Sequence, residues 1–83
     1  MQTDTKRQLM RRFPYLDKAI ENRLIANLDF RSLCDDYVDA TQALERLEAL
    51  LDPVIHRRII EYQRLVRSLE GEILVELYRE VDS

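Results

Sequence analysis

At 83 residues and 10.0 kDa the chain has room for one small domain, below the size at which a single hydrophobic core gives comfortable stability, so it calls for idealised packing or a partner. A composition of 46% hydrophobic and 35% charged residues, with one glycine and two prolines, suits long water-exposed helices and excludes a turn-rich sheet. A formal charge of −3 gives little overall attraction for nucleic acid or anionic lipid, one cysteine closes no intrachain disulfide, and no apolar run approaches the ~20 residues that cross a bilayer.

The first residues, MQTDTKRQLMRRF, lack the apolar core of a signal peptide, so a reducing cytoplasm is the expected setting. Residues 1–8 read as polar and flexible. Pro14 opens a shorter helix over about 14–27, with Leu16, Ile20, Leu24 and Leu28 at helical spacing. Asp29 is placed to cap the helix that follows the Asn27-Leu28 turn. From Phe30 the apolar positions run Phe30, Leu33, Tyr37, Ala40, Leu44, Leu47 and Leu51, alternating steps of three and four, which is a coiled-coil seam and predicts a helix over about 30–50. Asp52-Pro53 stops that helix and starts another, because proline disfavours helical geometry at Asp52 while an aspartate cap followed by proline opens a helix well. The seam resumes as Ile55, Ile59, Tyr62, Val66, Leu69 and Ile73, with Leu77 one residue out of register, and predicts a helix over about 53–80. Gly71 is the one discord, costing about 1 kcal/mol against alanine in a helix interior and marking close backbone packing or a weak point.

A short link between long helices predicts an all-α fold: an antiparallel helical hairpin of two long helices preceded by a shorter N-terminal helix, one domain across 1–83. Charge comes in blocks: net plus 3 over residues 1–28, minus 5 over 29–52, plus 3 over 53–67 and minus 4 over 68–83. Folding back at Asp52 sets Asp36 opposite Arg67 and Asp39 opposite Arg64 as register ion pairs. It also delivers the basic first helix beside the acidic stretch containing Glu70, Glu72, Glu76 and Glu80. Exposed pairs of this kind add only ~0.2–1 kcal/mol each, so their value is specificity.

The stretch LCDDYVD, residues 33–39, sets the only cysteine beside three carboxylates, and it reads as a helix face more than a site. Asp35 and Asp39 at i, i+4 lack the further oxygens or phosphates that Ca²⁺ and Mg²⁺ sites use. Cys34 lies among aspartates, which raise a thiol pKa, and reads as a small semi-buried hydrophobe. His56 falls at the loop end, far from Cys34, and there is no H-E-x-x-H, E-x-x-H, C-x-x-C or glycine-rich phosphate loop. Nothing supports an enzyme, a metal site or a cofactor.

Two other classes fit the sequence less well. A nucleic-acid-associated protein would use Arg11, Arg12, Arg57, Arg58, Arg64 and Arg67, but acidic blocks adjoin them and no helix-turn-helix reading helix is evident. Membrane attachment by residues 6–25 ranks lower still.

The order FPYLDKAI, then NLDFRSLCDDYVDATQALERLE, then EYQRLVRSLEGEILVEL resembles small bacterial YdcH-like proteins over about residues 13–77. Phe13, Pro14, Asp29, Phe30, Leu33, Tyr37, Leu47, Glu48, Leu69, Glu72 and Ile73 carry the resemblance. The closing helix departs from it, using arginine where the family is richer in lysine, and containing Gly71. The resemblance implies a helical hairpin and no established activity.

The sequence therefore reads as a small non-enzymatic interaction or structural module. A two-helix hairpin buries one stripe per helix, and the closing helix is apolar over more than one. Ile60, Leu65, Leu74 and Tyr78 are the expected interface of a homodimer or higher even oligomer, with an unidentified helical protein as the other possible partner.

Overall fold

The computed structural model describes residues 2–82, with side chains over 5–79. The elements are α1 (Gln2–Arg12), a 3-10 turn (Pro14–Leu16), α2 (Asp17–Ala26), α3 (Leu28–Ala49), a second 3-10 turn (Pro53–Ile55) and α4 (His56–Asp82). Among the described residues there is no strand, and no helix is long and apolar enough to cross a membrane. Met1 and the side chains of Glu80 and Val81 lie outside the described set.

Helix α1 occupies most of the stretch expected to be flexible. Its own composition is a poor reason to be helical; tertiary contact supplies a better one. Leu9 is fully buried, Phe13 just beyond the helix is buried, and Thr5 is buried with its hydroxyl donating to Asp35 of α3 at 2.7 Å. Arg11 and Arg12 close the helix, where cations suit the negative end of its dipole.

The cap of α3 also differs from the expectation. Asn27, not Asp29, is the N-cap: its backbone is extended and its side-chain oxygen accepts from the Phe30 N–H at 3.1 Å. Asp29 falls in the first turn, where a carboxylate favours the positive end of the dipole. At the far end, the Leu50 N–H bonds to the Leu47 carbonyl, and Leu51 takes a positive φ of 53°, a conformation that costs any residue with a Cβ. Asp52 then caps the following turn by accepting from the Val54 N–H at 3.0 Å, with Pro53 directly after it.

Helices α3 and α4 pack along each other, and α1 and α2 dock against only one end of the pair. The core consists of Leu9, Phe13, Ala19 and Ile20 from the N-terminal elements, Phe30, Cys34, Tyr37, Val38 and Ala40 of α3, and Leu69, Ile73 and Leu77 of α4. No residue from 41 to 68 is buried. The molecule thus has a body, where four helices meet, and a two-helix arm. It measures 46 × 22 × 22 Å, with a radius of gyration of 13.9 Å against about 12 Å for a compact chain of this length.

Candidate interaction surface

The body is tied by charge as well as packing. Arg12 Nε donates to Glu70 at 2.6 Å and the Tyr37 hydroxyl donates to the same carboxylate at 2.9 Å, joining α1, α3 and α4. Burial works against the Glu70 carboxylate, but the hydrogen bonds from Arg12 and Tyr37, with the charges of Arg12 and Arg67, outweigh it and hold its pKa below the usual range. The Tyr37 phenol is pushed up to about 12, first by burial and then by its bond to Glu70. Arg23 of α2 reaches Glu76 at 3.1 Å, and Arg79 reaches the same residue at 3.0 Å. The basic N-terminal segment does meet the acidic end of the closing helix.

Of the residues in LCDDYVD, Cys34 and Tyr37 point inward and the aspartates diverge. Cys34 is fully buried, and burial followed by the charge of Asp35 pushes its thiol up to about 12, which leaves it almost wholly protonated at neutral pH. Asp35 holds Thr5. It also lines a cleft of about 500 Å³ between α1, α2 and α3, beside Arg31 and the 2.8 Å pair of Lys6 with Glu21. Leu24 and Ile25 form that cleft's apolar wall. His56 is exposed at the start of α4, at the arm's tip and away from Cys34.

Asp36 and Asp39 are exposed and have no ion pair among the described residues, so the expected pairs with Arg67 and Arg64 are not formed. They open instead onto a groove with Leu65 and Leu69. Helical geometry gives the reason. Arg64 lies about 100° round α4 from Leu65, and Arg67 about 160° from Leu69, so each arginine turns away from the α3 side.

The residues expected at an interface do not form one patch. Leu65, 45% exposed, lies in that groove between α3 and α4. Ile60 and Tyr78, eighteen residues apart, share a different side of α4 by about five turns of 3.6, and Leu74 packs partly against the core. Leu50, Leu51 and Val54 leave the arm's tip apolar and exposed. Gly71 has nothing within 4 Å of where a Cβ would stand, so no close packing within the chain accounts for it.

Sequence reading missed the Arg12–Glu70–Tyr37 cluster. Its signal was a tyrosine at a seam position, since a buried phenol needs a hydrogen-bond partner. Comparison with family models, with characterised proteins and with solved structures finds no match for this chain.

Proposed function

We propose that the chain is a non-enzymatic helical interaction module, an antiparallel hairpin of α3 and α4 braced at one end by α1 and α2, that self-associates or packs against another helical protein. The observation that carries this reading is the arm. Residues 41–68 bury nothing, yet Ala43, Leu44, Leu47, Ile59, Tyr62 and Val66 stand half-buried along it, and Leu50, Leu51, Val54 and Leu65 are exposed. Apolar side chains left in water forgo about 1.5–3 kcal/mol each, a large share of what a domain this small possesses. The YdcH-like resemblance, which implies a helical hairpin with no established activity, belongs to the same reading. Sedimentation at micromolar concentration tests it: a dimer or higher even oligomer is expected, and a stable monomer that captures no helical partner contradicts it.

Nucleic-acid association is a second reading, favoured by Arg57, Arg64 and Arg67, which are exposed, without an ion pair among the described residues, and on one side of α4. Arg12, by contrast, is held by Glu70. Retention on nucleic acid that falls steeply with salt would promote this reading over the first.

A further inference from the structure

We infer that the groove along one side of the arm is the seat of a second copy of this chain, packed by twofold symmetry with the two arms pointing in opposite directions. This rests on the reading of the chain as a self-associating module, and it names the surface and the orientation.

Two shallow clefts on the same side of the α3–α4 pair share Ala43, Arg46 and Tyr62, so together they make one continuous groove. Its α3 bank is Ala40, Ala43, Leu47 and Leu50, in steps of three and four. Its α4 bank is Tyr62, Leu65 and Leu69, with the same steps. Each bank is therefore a helical stripe that takes one edge of the seam, Ala40 and Leu47 on α3 and Tyr62 and Leu69 on α4, and widens it outward with Ala43, Leu50 and Leu65, in the pattern by which helices of a four-helix bundle meet. Two alanines on the α3 bank keep the groove low enough for another helix to approach. The cleft between α1, α2 and α3 lacks this continuity, and its Lys6 and Asp35 are already engaged within the chain.

Charge selects the occupant and its direction. The groove's charged residues are Asp36 and Asp39 toward the body and Arg46 and Arg58 toward the tip. All four are exposed and without an ion pair among the described residues. A second copy turned end for end brings its Arg46 and Arg58 beside Asp36 and Asp39 of the first, and the reverse at the other end. A copy laid parallel sets aspartate on aspartate and arginine on arginine. The groove is thus self-complementary in one orientation only, as a twofold contact requires. The same contact covers Leu65 and Leu50.

Equilibrium sedimentation of the full chain and its variants tests this, with circular dichroism checking that each variant stays helical. The wild type is expected to dimerise. Asp36→Arg with Asp39→Arg should raise the dissociation constant about tenfold or more, as should Arg46→Glu with Arg58→Glu, because each replaces attraction by repulsion at both ends. All four substitutions together should restore association to within about threefold of wild type. Orientation is read in a Cys34→Ala background: Ala43→Cys, near the groove's midpoint, should form a disulfide-linked dimer on oxidation, and Leu50→Cys, at its end, should not. A monomeric wild type overturns the self-association reading itself. A wild-type dimer indifferent to the charge variants overturns the groove alone, and ready linkage through Leu50→Cys overturns the antiparallel orientation.

Discussion

The body and the arm are built largely from the same two helices, yet they are held by different means. In the body, Ile73 and Leu77 of α4 are fully buried because α1 and α2 close over them, and Arg12 and Arg23 hold those covering helices in place through Glu70 and Glu76, with Tyr37 of α3 sharing Glu70. In the arm, Ile59, Tyr62 and Val66 occupy equivalent seam positions but remain half-buried, with only α3 beside them. Seam periodicity therefore produces a helix pair in both places. A closed core forms only where a third layer arrives, since two helices cannot enclose a side chain from all sides.

The largest expected effect is the most direct attempt to break this contrast. Ile73→Ala should cost about 2–5 kcal/mol in chemical denaturation, the usual range for truncating a fully buried aliphatic side chain. Ile59→Ala, measured in dilute solution, should cost only about 1 kcal/mol, because a half-buried site loses less transfer energy and leaves no closed cavity. Equal costs would mean that body and arm do not differ as described.

Next in size is the polar brace. Glu70→Ala leaves the Tyr37 hydroxyl without its acceptor and should destabilise by about 1–3 kcal/mol, whereas Tyr37→Phe should cost about 1 kcal/mol. Because the folded-state pKa of Glu70 is lowered, its stabilising contribution is present above the ordinary carboxylate pKa and disappears as pH falls through the lowered value. Glu70→Gln should accordingly flatten the acid limb of the stability profile, and an unchanged limb would remove Glu70 from the account.

Alkali probes the body in the opposite direction. Cys34 and Tyr37 have folded-state pKa values raised to about 12 from 9.0 and 10.0, so the folded state keeps protons that the unfolded chain releases. Their contribution is intact below pH 9 and declines as pH rises toward 12. Cys34→Ala should cost about 1 kcal/mol at neutral pH and remove the thiol's part of the alkaline loss, leaving that of Tyr37. Thiol reagents should label Cys34 slowly at neutral pH, at the rate at which the body opens; rapid labelling would place the thiol outside a closed core.

The smallest effects sharpen the picture by raising stability. Gly71→Ala should add about 0.5–1 kcal/mol, since the site is helical, has a negative φ and meets open space. Leu51→Gly should add a similar amount, about 1 kcal/mol or less, by relieving the positive φ at the tip, with the greater freedom of glycine in the unfolded chain offsetting part of the gain. A loss at Gly71 would point to a close contact there with another molecule.

Much of this architecture was legible in the sequence. The all-α class followed from the alternating three-and-four spacing, and the helix restart from Asp52-Pro53, because periodicity and capping are local properties. The attraction between Arg-rich first residues and the acidic closing stretch was visible in the charge blocks and is realised as Arg12–Glu70 and Arg23–Glu76. Helix α1 was not legible, because its stability resides in Leu9, Phe13 and Thr5 meeting partners far along the chain. Pairing Asp36 with Arg67 also failed as a forecast, since a fold-back sum gives height along the helices and says nothing of the direction a side chain faces. The groove was partly visible: Ala40, Leu47, Tyr62 and Leu69 were read as seam, and only the packed helices show that Leu65 and Ala43 join them on one open side.

Hydrogen exchange as a function of protein concentration tests the central claim most directly: that the body is complete in one chain and the arm is not. In dilute solution, amides from 41 to 68 should exchange faster than those around Phe30 to Tyr37 and Leu69 to Leu77, and the arm alone should gain protection as concentration rises and copies associate. Equal protection of body and arm at every concentration would contradict it.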